Sequence, residues 1–258
     1  MKKIAIIIPA YNEEKRIGPT LDSYASFFDK MKLRKEFDVK IHVVINNTTD
    51  KTEEIVKKYV KKYSRISYMD LLQGGKGYAV IEGFKEMLCE DFDLIGFVDA
   101  DMATSPEEFY NLINEIKDCD GVIADRYLPK SKISPKPSIG RLFAKRLFNF
   151  LIRSMMFLPF GDTQCGAKIF KKEILAKVIT RLSMSQWAFD VELLYHLHKN
   201  RYKIKAVPTK WIDKKYSTIN FWSAGPLMAL GVLRLRILNS PFRRFMNIHD
   251  KLIGFIPK

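Results

Sequence analysis

The sequence predicts an α/β domain with a mostly parallel sheet flanked by helices. Three observations carry that prediction. Short apolar runs alternate along the chain with segments whose apolar residues recur at helical spacing. The first runs are continuously apolar, as expected for strands covered on both faces. The runs end in turns rich in Asn, Asp, Gly or Pro. A length of 258 residues suits one large domain, or one domain with an appendage, and 47% hydrophobic residues are ample for a core.

Residues 4–8 (Ile-Ala-Ile-Ile-Ile) form the first expected strand, stopped by Pro9 and followed by a loop through Tyr11-Asn12-Glu13-Glu14. Ile17, Leu21, Tyr24, Phe28 and Met31 then recur at helical spacing. The second strand, 41–45, ends in Asn46-Asn47-Thr48-Thr49. Asp50 with Glu53 can cap the next helix, whose stripe is Ile55, Val56, Tyr59, Val60 and Tyr63. A weaker third strand at 66–69 leads to Gly74-Gly75-Lys76-Gly77 and a helix carrying Val80, Phe84, Met87 and Leu88. The fourth strand, 94–98, runs into Asp99-Ala100-Asp101. Ser105, Pro106 and Glu108 then mark a helix start with a capping box. Residues 121–124 form the fifth strand, ending in Asp125-Arg126-Tyr127.

In open α/β sheets, ligands bind where the strands end. The Tyr-Asn, Asn-Thr, Gly-Lys and Asp-Ala-Asp turns all fall at such ends. Residues two apart in extended backbone point to one side, so Asp99 and Asp101 converge. Their mutual repulsion would be relieved by a hard divalent cation, Mg²⁺ or Mn²⁺. Taken alone, the pair would equally serve as two solvated acids in a strand-to-helix turn; its convergence with the other turns favours the functional reading. Gly74-Gly75-Lys76-Gly77 lacks the wide glycine spacing and the Ser/Thr of a Walker loop, and no GxGxxG follows the first strand. Lys76 still supplies a charge beside glycines that allow close backbone approach.

The formal net charge of +15 implies an anionic partner. Nucleic acid is not favoured, because the basic residues are dispersed and the aromatic ones follow core periodicity. Cys89, Cys119 and Cys165 have no paired spacing, which points to a reducing compartment and no zinc site. His196 and His198 are two apart in a helical pattern and make a poor metal pair. The run at 4–8 is too short for a signal peptide, and no apolar stretch reaches the roughly 20 residues of a spanning helix.

Residues 7–14 (Ile-Ile-Pro-Ala-Tyr-Asn-Glu-Glu), 75–77 (Gly-Lys-Gly) and 98–101 (Val-Asp-Ala-Asp) resemble the family-2 glycosyltransferases of the GT-A, Rossmann-like fold. Residues 162–170 (Asp-Thr-Gln-Cys-Gly-Ala-Lys-Ile-Phe), 187–194 (Trp-Ala-Phe-Asp-Val-Glu-Leu-Leu) and 207–211 (Val-Pro-Thr-Lys-Trp) are similar to segments of the dolichyl-phosphate glucosyltransferase branch, whose frame the dolichyl-phosphate mannose synthases share. The resemblance covers roughly residues 3–220 and implies a GT-A domain over 1–220; the apolar and basic residues of 221–258 themselves read as a basic amphipathic, membrane-peripheral segment.

The resemblance further implies a nucleotide-sugar donor, a Mg²⁺ or Mn²⁺ cofactor, inversion at the anomeric carbon and a polyprenyl-phosphate lipid acceptor. Carried over by position, Pro9, Ala10, Tyr11, Glu13, Asn46, Lys76 and Asp99 bind the donor nucleotide, and Asp99 and Asp101 hold the metal. Arg126 and Arg141 meet donor or acceptor phosphates, for which a guanidinium fork is suited. Gln164 and Lys168 belong to an acceptor-side loop, and Asp190 falls where many family members place a catalytic base. A helix-start acid favoured by the dipole would equally explain Asp190.

There are departures. After the second strand the chain has Ile45-Asn46-Asn47-Thr48 where the family has an aspartate pair, glycine and serine, so Asn46 replaces an acid toward the base. Ala103 stands where some mannose synthases have a third metal ligand, leaving water or phosphate to complete the coordination. Asp125 precedes Arg126 and offers it an ion pair.

Residues 139–158 are rich in Phe, Leu and Met, with Arg141, Lys145, Arg146 and Arg153 interspersed, as in an interfacial helix; a core helix with snorkelling basic residues would look similar. Residues 221–238 continue the theme, and 241–258 add further basic residues for an anionic membrane surface. The expectation is therefore a cytoplasmic protein, peripheral on the cytoplasmic face of a membrane. It transfers a hexose, glucose from UDP-glucose, to dolichyl or another polyprenyl phosphate. A GDP-mannose-dependent mannose synthase is the alternative within the family, and a nucleotidyltransferase using the same aspartate pair or a nucleic-acid-binding protein are alternatives outside it.

Overall fold

A computed structural model describes residues 1–136, 138–183, 188–212 and 221–240, with backbone alone at 139, 141, 144, 145 and 221–229. The strands are β1 (Lys2–Ala10), β2 (Phe37–Asn46), β3 (Ile66–Leu71), β4 (Leu94–Val98), β5 (Gly121–Asp125), β6 (Lys132–Ser134), β7 (Ala167–Lys171), β8 (Ile204–Pro208) and β9 (Lys210–Ile212). The helices are α1 (Ile17–Leu33), α2 (Thr52–Lys62), α3 (Lys76–Leu88), α4 (Pro106–Glu115), α5 (Ile139–Met156), α6 (Lys172–Ile179), α7 (Phe189–Lys199) and α8 (Phe221–Leu238). Seven strands make one sheet in the order β3-β2-β1-β4-β7-β5-β8, and β6 pairs with β9. The five expected strands lie within β1 to β5.

β1 shows how the sheet is held. Ile4, Ile6 and Ile8 face a layer containing Leu21, Tyr24 and Phe28 of α1, Val56 of α2 and Phe109 of α4. Ala5 and Ile7 face the other layer, with Val80 and Phe84 of α3, Leu175 of α6, Leu193 of α7 and Val232 and Leu235 of α8. Every one of these side chains is buried. Burying one such isoleucine stabilises the fold by about 1.5–3 kcal/mol, so continuous apolar runs select the central strands. α8 thus packs onto the sheet domain through Val232 and Leu235.

Four local expectations are corrected. Pro9 does not end β1, which continues through Ala10 beside Ile45 of β2. β4 pairs with β1 only as far as Ile7, so one flank is open where proline lacks a donor. Asp50 lies outside α2; its Oδ1 accepts from Thr52 N at 2.9 Å, and its Oδ2 from Glu14 N at 3.0 Å, so it ties two loops instead of capping alone. Ser105 does cap α4, accepting from Glu108 N at 3.4 Å, but Glu108 turns its carboxylate to Lys210 N at 2.9 Å and the reciprocal bond is diverted. Finally, 167–171 is a strand, β7, antiparallel to both β4 and β5, while the other pairs of the large sheet are parallel.

Candidate active site

Because β1, β2, β4 and β5 are parallel, their carboxyl ends share one edge. β7 runs the other way, so its start lies on that same edge. One rim therefore collects the loops after Ala10, Asn46, Val98 and Asp125 together with the segment entering Ala167.

The first two loops are stitched together. Glu13 N donates to Thr52 Oγ1 at 2.7 Å, and Thr49 N donates to Asn12 Oδ1 at 2.9 Å. Asn12 and Asn47 adopt left-handed backbone, with φ of 52° and 50°, which asparagine tolerates. Pro9 and Ala10 are buried at the strand end, and Tyr11 is 54% exposed beyond them. Asn46 is buried. With its amide oriented to satisfy both neighbours, it donates to Ala10 O at 3.0 Å and accepts from Gly75 N at 3.1 Å. The amide of Asn46 thus joins β1 to the loop before α3, which uses one of its two N–H groups and one carbonyl lone pair.

β4 ends at Val98, so Asp99 and Asp101 sit on a turn, not on extended backbone as expected. Met102, with φ of 59°, bends the chain, and Asp101 Oδ1 accepts from Ala103 N at 2.9 Å. The two acids are still neighbours. Burial, then the charge of Asp99, raises the Asp101 carboxyl above its ordinary range. Asp99 Oδ1 meets Lys76 Nζ at 2.5 Å, and its Oδ2 faces Gly166, where a Cβ would stand 1.9 Å away. Burial disfavours the Lys76 charge, but Asp99 and then Asp190 outweigh it and raise the pKa. Glu13 is gripped by Arg16 through bonds of 2.6 and 2.7 Å; burial pushes its carboxyl up, and Asp101 and Asp99 add to that despite Arg16.

The other side of the rim is built from buried pairs. Arg126 donates to Asp162 through Nε at 2.6 Å and Nη2 at 3.0 Å, and lies over the Trp211 ring at 4.9 Å. Burial alone would raise the Asp162 carboxyl; the charge and bonds of Arg126 override it and hold it below the ordinary range. The expected Asp125–Arg126 ion pair is thus replaced, and Asp125 accepts instead from Tyr127 N at 2.8 Å. Lys168 is fully buried. Its ammonium donates to Cys165 O at 2.6 Å and Asp190 Oδ1 at 2.5 Å, 5.2 Å from the Phe97 ring centroid. Lys168 therefore cannot be an acceptor-facing cation: the antiparallel register places it beside Phe97, inside the sheet. Gln164 N donates to Asp162 Oδ1 at 3.2 Å, which leaves the side chain of Gln164 at the rim. Burial pushes the Cys165 thiol up to about 12, which removes it as a nucleophile.

The structure thus brings Glu13, Lys76, Asp99 and Asp101 together, with Arg126 on the same rim at the end of β5, across β7 from β4. Arg141 lies on α5 with its side chain outside the described residues, as do 184–187 and 241–258. Sequence reasoning missed Arg16 and the role of Gly166, and took Asp162 and Trp211 only as parts of longer motifs. Among the described residues no three or more His, Cys, Asp or Glu groups gather as a metal site. The donor set is two carboxylates, one of them raised by burial and by the charge of the other, and that suits a hard cation completed by phosphate oxygens or water.

Residues 5–179 match the model of "Glycosyl transferase family 2". The chain is 30% identical over 243 residues to the dolichyl-phosphate beta-glucosyltransferase of Dictyostelium discoideum, covering 90% of this chain and 73% of that protein. It is 28% identical over 255 residues to the Homo sapiens protein of the same name, covering 94% and 78%. In fold it is similar to glucosyl-3-phosphoglycerate synthase from Mycobacterium tuberculosis, crystallised with Mn²⁺, UDP and phosphoglyceric acid: TM-score 0.67, 16% identity, 91% of this chain and 78% of that one. A structure of the same enzyme with Mg²⁺ and UDP gives a TM-score of 0.64 at 15% identity, covering 91% and 79%. A rim built from successive strand ends, on a sheet of the GT-A type and with the family model matched across most of its length, makes this chain a glycosyltransferase of family 2.

Proposed function

We propose that this glycosyltransferase moves glucose from UDP-glucose to the phosphate of dolichyl or a related polyprenyl phosphate, with inversion at the anomeric carbon. The observation that carries the reading is the two-sided rim: an acidic pair with Lys76 at the start of α3, beside an arginine locked on Asp162. The glucose and the dolichyl phosphate are taken from the names of the relatives, and UDP with Mn²⁺ or Mg²⁺ from the solved structures of like fold. Asp101, with Asp99 beside it, would hold the divalent cation, which when bound neutralises diphosphate charge.

The remaining tasks fall to the chain. Pro9, Ala10, Tyr11 and Glu13 line the nucleotide side. Lys76 meets the diphosphate at a helix N-terminus, where backbone dipoles also favour an anion. Arg126 and Arg141 hold the acceptor phosphate in line. A phosphate monoester has a second pKa near ~6, so at neutral pH its oxygen attacks without a general base. The engagement of Asp190 with Lys168 supports that reading, since its carboxylate already serves a buried ammonium.

α5 supports a membrane-bound acceptor. Phe143, Leu147, Phe150 and Leu151 are exposed along one stripe, while Asn149, Ile152 and Met156 are buried on the other. An exposed apolar stripe flanked by Arg146 and Arg153 fits a bilayer interface, on the cytoplasmic face where the nucleotide sugar is found. No helix among the described residues is long and apolar enough to cross a membrane.

A panel of UDP- and GDP-sugars with polyprenyl phosphate, read by product lipid analysis, tests the reaction. Transfer from UDP-glucose with release of UDP is expected; transfer from GDP-mannose alone would replace the donor assignment. Asp190→Asn, also made together with Lys168→Met so that no buried ammonium is left alone, should keep substantial single-turnover activity, and Arg141→Ala should lose acceptor affinity. An Asp190→Asn enzyme as inactive as Asp101→Ala, with both substrates still bound, would make a hydroxyl acceptor the better reading. Binding to anionic liposomes should weaken with salt, because exposed charges are screened within about 8 Å at physiological ionic strength; indifference to such vesicles at low salt would rule out the interfacial role of α5.

A further inference from the structure

We infer that Lys76 competes with the divalent cation for Asp99, and that the diphosphate of the donor ends the competition by taking the lysine away. The inference rests on the metal and donor sites proposed above and concerns how their occupancy is coupled.

Asp99 is hemmed in on two sides. Oδ2 faces Gly166 so closely that a Cβ there would be 1.9 Å from it. Oδ1 lies farther from that point, at 2.7 Å, and Lys76 Nζ stands 2.5 Å from it. Mg²⁺ requires carboxylate oxygens at about 2.0–2.1 Å. Placed on one carboxylate oxygen at such distances, an ammonium and a divalent ion repel each other, so each weakens the other's hold and the divalent ion gains when the lysine leaves. Asp101 is placed differently: its Oδ1 takes a backbone N–H from Ala103, and its raised pKa reflects burial and Asp99.

The lysine can leave without moving the backbone. It is the first residue of α3, and Gly75 before it, at φ 125°, is fixed through its N–H by Asn46. The four-carbon stem is flexible, and the side chain is 36% exposed. A diphosphate arriving at the start of α3 offers the ammonium a new partner and exposes Oδ1. Cation and diphosphate then favour each other for a reason beyond their direct contact, and the coupling is reciprocal.

The test is a Mn²⁺ titration followed by electron paramagnetic resonance, alone and with UDP or GDP, on the wild type, Lys76→Met, Asp99→Asn and the double variant. Near-ultraviolet circular dichroism confirms the folds. Lys76→Met should bind Mn²⁺ alone about fivefold or more tightly than the wild type, although it binds nucleotide more weakly, and the mutual enhancement should shrink. In the Asp99→Asn background the same substitution should gain nothing, because the contested carboxylate charge is gone. An equal gain in both backgrounds would show mere through-space repulsion and overturn the competition, as would no gain at all. Wild-type protein that binds no Mn²⁺ even with nucleotide would overturn the metal site along with it, whereas Mn²⁺ binding that Asp101→Ala abolishes and Lys76→Met leaves unchanged would overturn the competition alone.

Discussion

The two sides of the rim carry charge in different ways. On the β2–β1–β4 side the pairs are partly open: Lys76 and Asp99 are 36% and 26% exposed, and Glu13 and Arg16 also reach water. On the β7–β5 side they are sealed: Lys168 and Asp190 are 0% and 11% exposed, and Asp162 is 1% exposed beneath Arg126. An open pair exchanges partners at little cost, because water and ligands screen what is left behind. A sealed pair does not, since a lone buried charge has no substitute. One side is built to rearrange around a ligand, and the other to hold its arginine still.

That contrast can be broken at several points. The largest effect is expected at the open side, for chemistry only. Asp101→Ala should cut turnover on the order of 10³-fold or more while its urea midpoint stays near the wild type. A comparable activity in steady-state assays would exclude Asp101 from the site.

At the sealed side, stability should respond first. Lys168→Ala leaves Asp190 unpaired and should cost about 3–5 kcal/mol in urea unfolding. Replacing both partners, Lys168→Met with Asp190→Leu, should recover most of that loss. A cost below about 1 kcal/mol for the single change would mean that the pair behaves as a surface one.

His42 offers a third comparison, from inside β2. Burial pushes its imidazole down to about 4, helped by Lys40 and opposed by Glu90, with Ser67 Oγ 2.9 Å from Nδ1 and Glu86 3.4 Å from Nε2. The unfolded chain binds its proton from about 6.5 downward, so the folded state loses stability as pH falls from there toward 4. The loss is on the order of 3 kcal/mol for this residue. His42→Gln should flatten that part of the stability–pH curve; an unchanged slope would assign it to other groups, His196 included, whose imidazole burial also lowers to about 4. The smallest effect belongs to Ser105, where Ser105→Ala should remove the α4 cap for about 1 kcal/mol and leave turnover alone.

The open side was legible in the sequence and the sealed side was not, and the reason is physical. β1, β2 and β4 are apolar runs ending in turn residues, so strand and site could be read together. Lys76, Asp99 and Asp101 lie on such turns. β7 reads Ala-Lys-Ile-Phe-Lys, and a central lysine argues against burial unless its partner is known. That partner, Asp190, stands on α7, which no local pattern connects to β7. Asp162 was similarly invisible as the holder of Arg126, because adjacency favoured Asp125. Asn46 carried the right chemistry for a base, but only the folded positions of Ala10 and Gly75 reveal that its amide also joins two elements of the fold.

The insertion of β7 between β4 and β5 also bears on how the chain is made. β1 to β4 are contiguous in the sheet and can pair as they emerge from the ribosome. β4 then waits with an open edge until residues 167–171 follow, on the order of seconds at roughly 5–20 residues per second. An open edge is a template for any other nascent strand. Gly96 sits in the middle of it, and there a Cβ would come within 2.5 Å of Lys168 O. Glycine gives a passing strand no side chain to pack against and weakens the strand that bears it. The residue that lets β7 close on β4 therefore also makes the waiting edge a poor seed for aggregation.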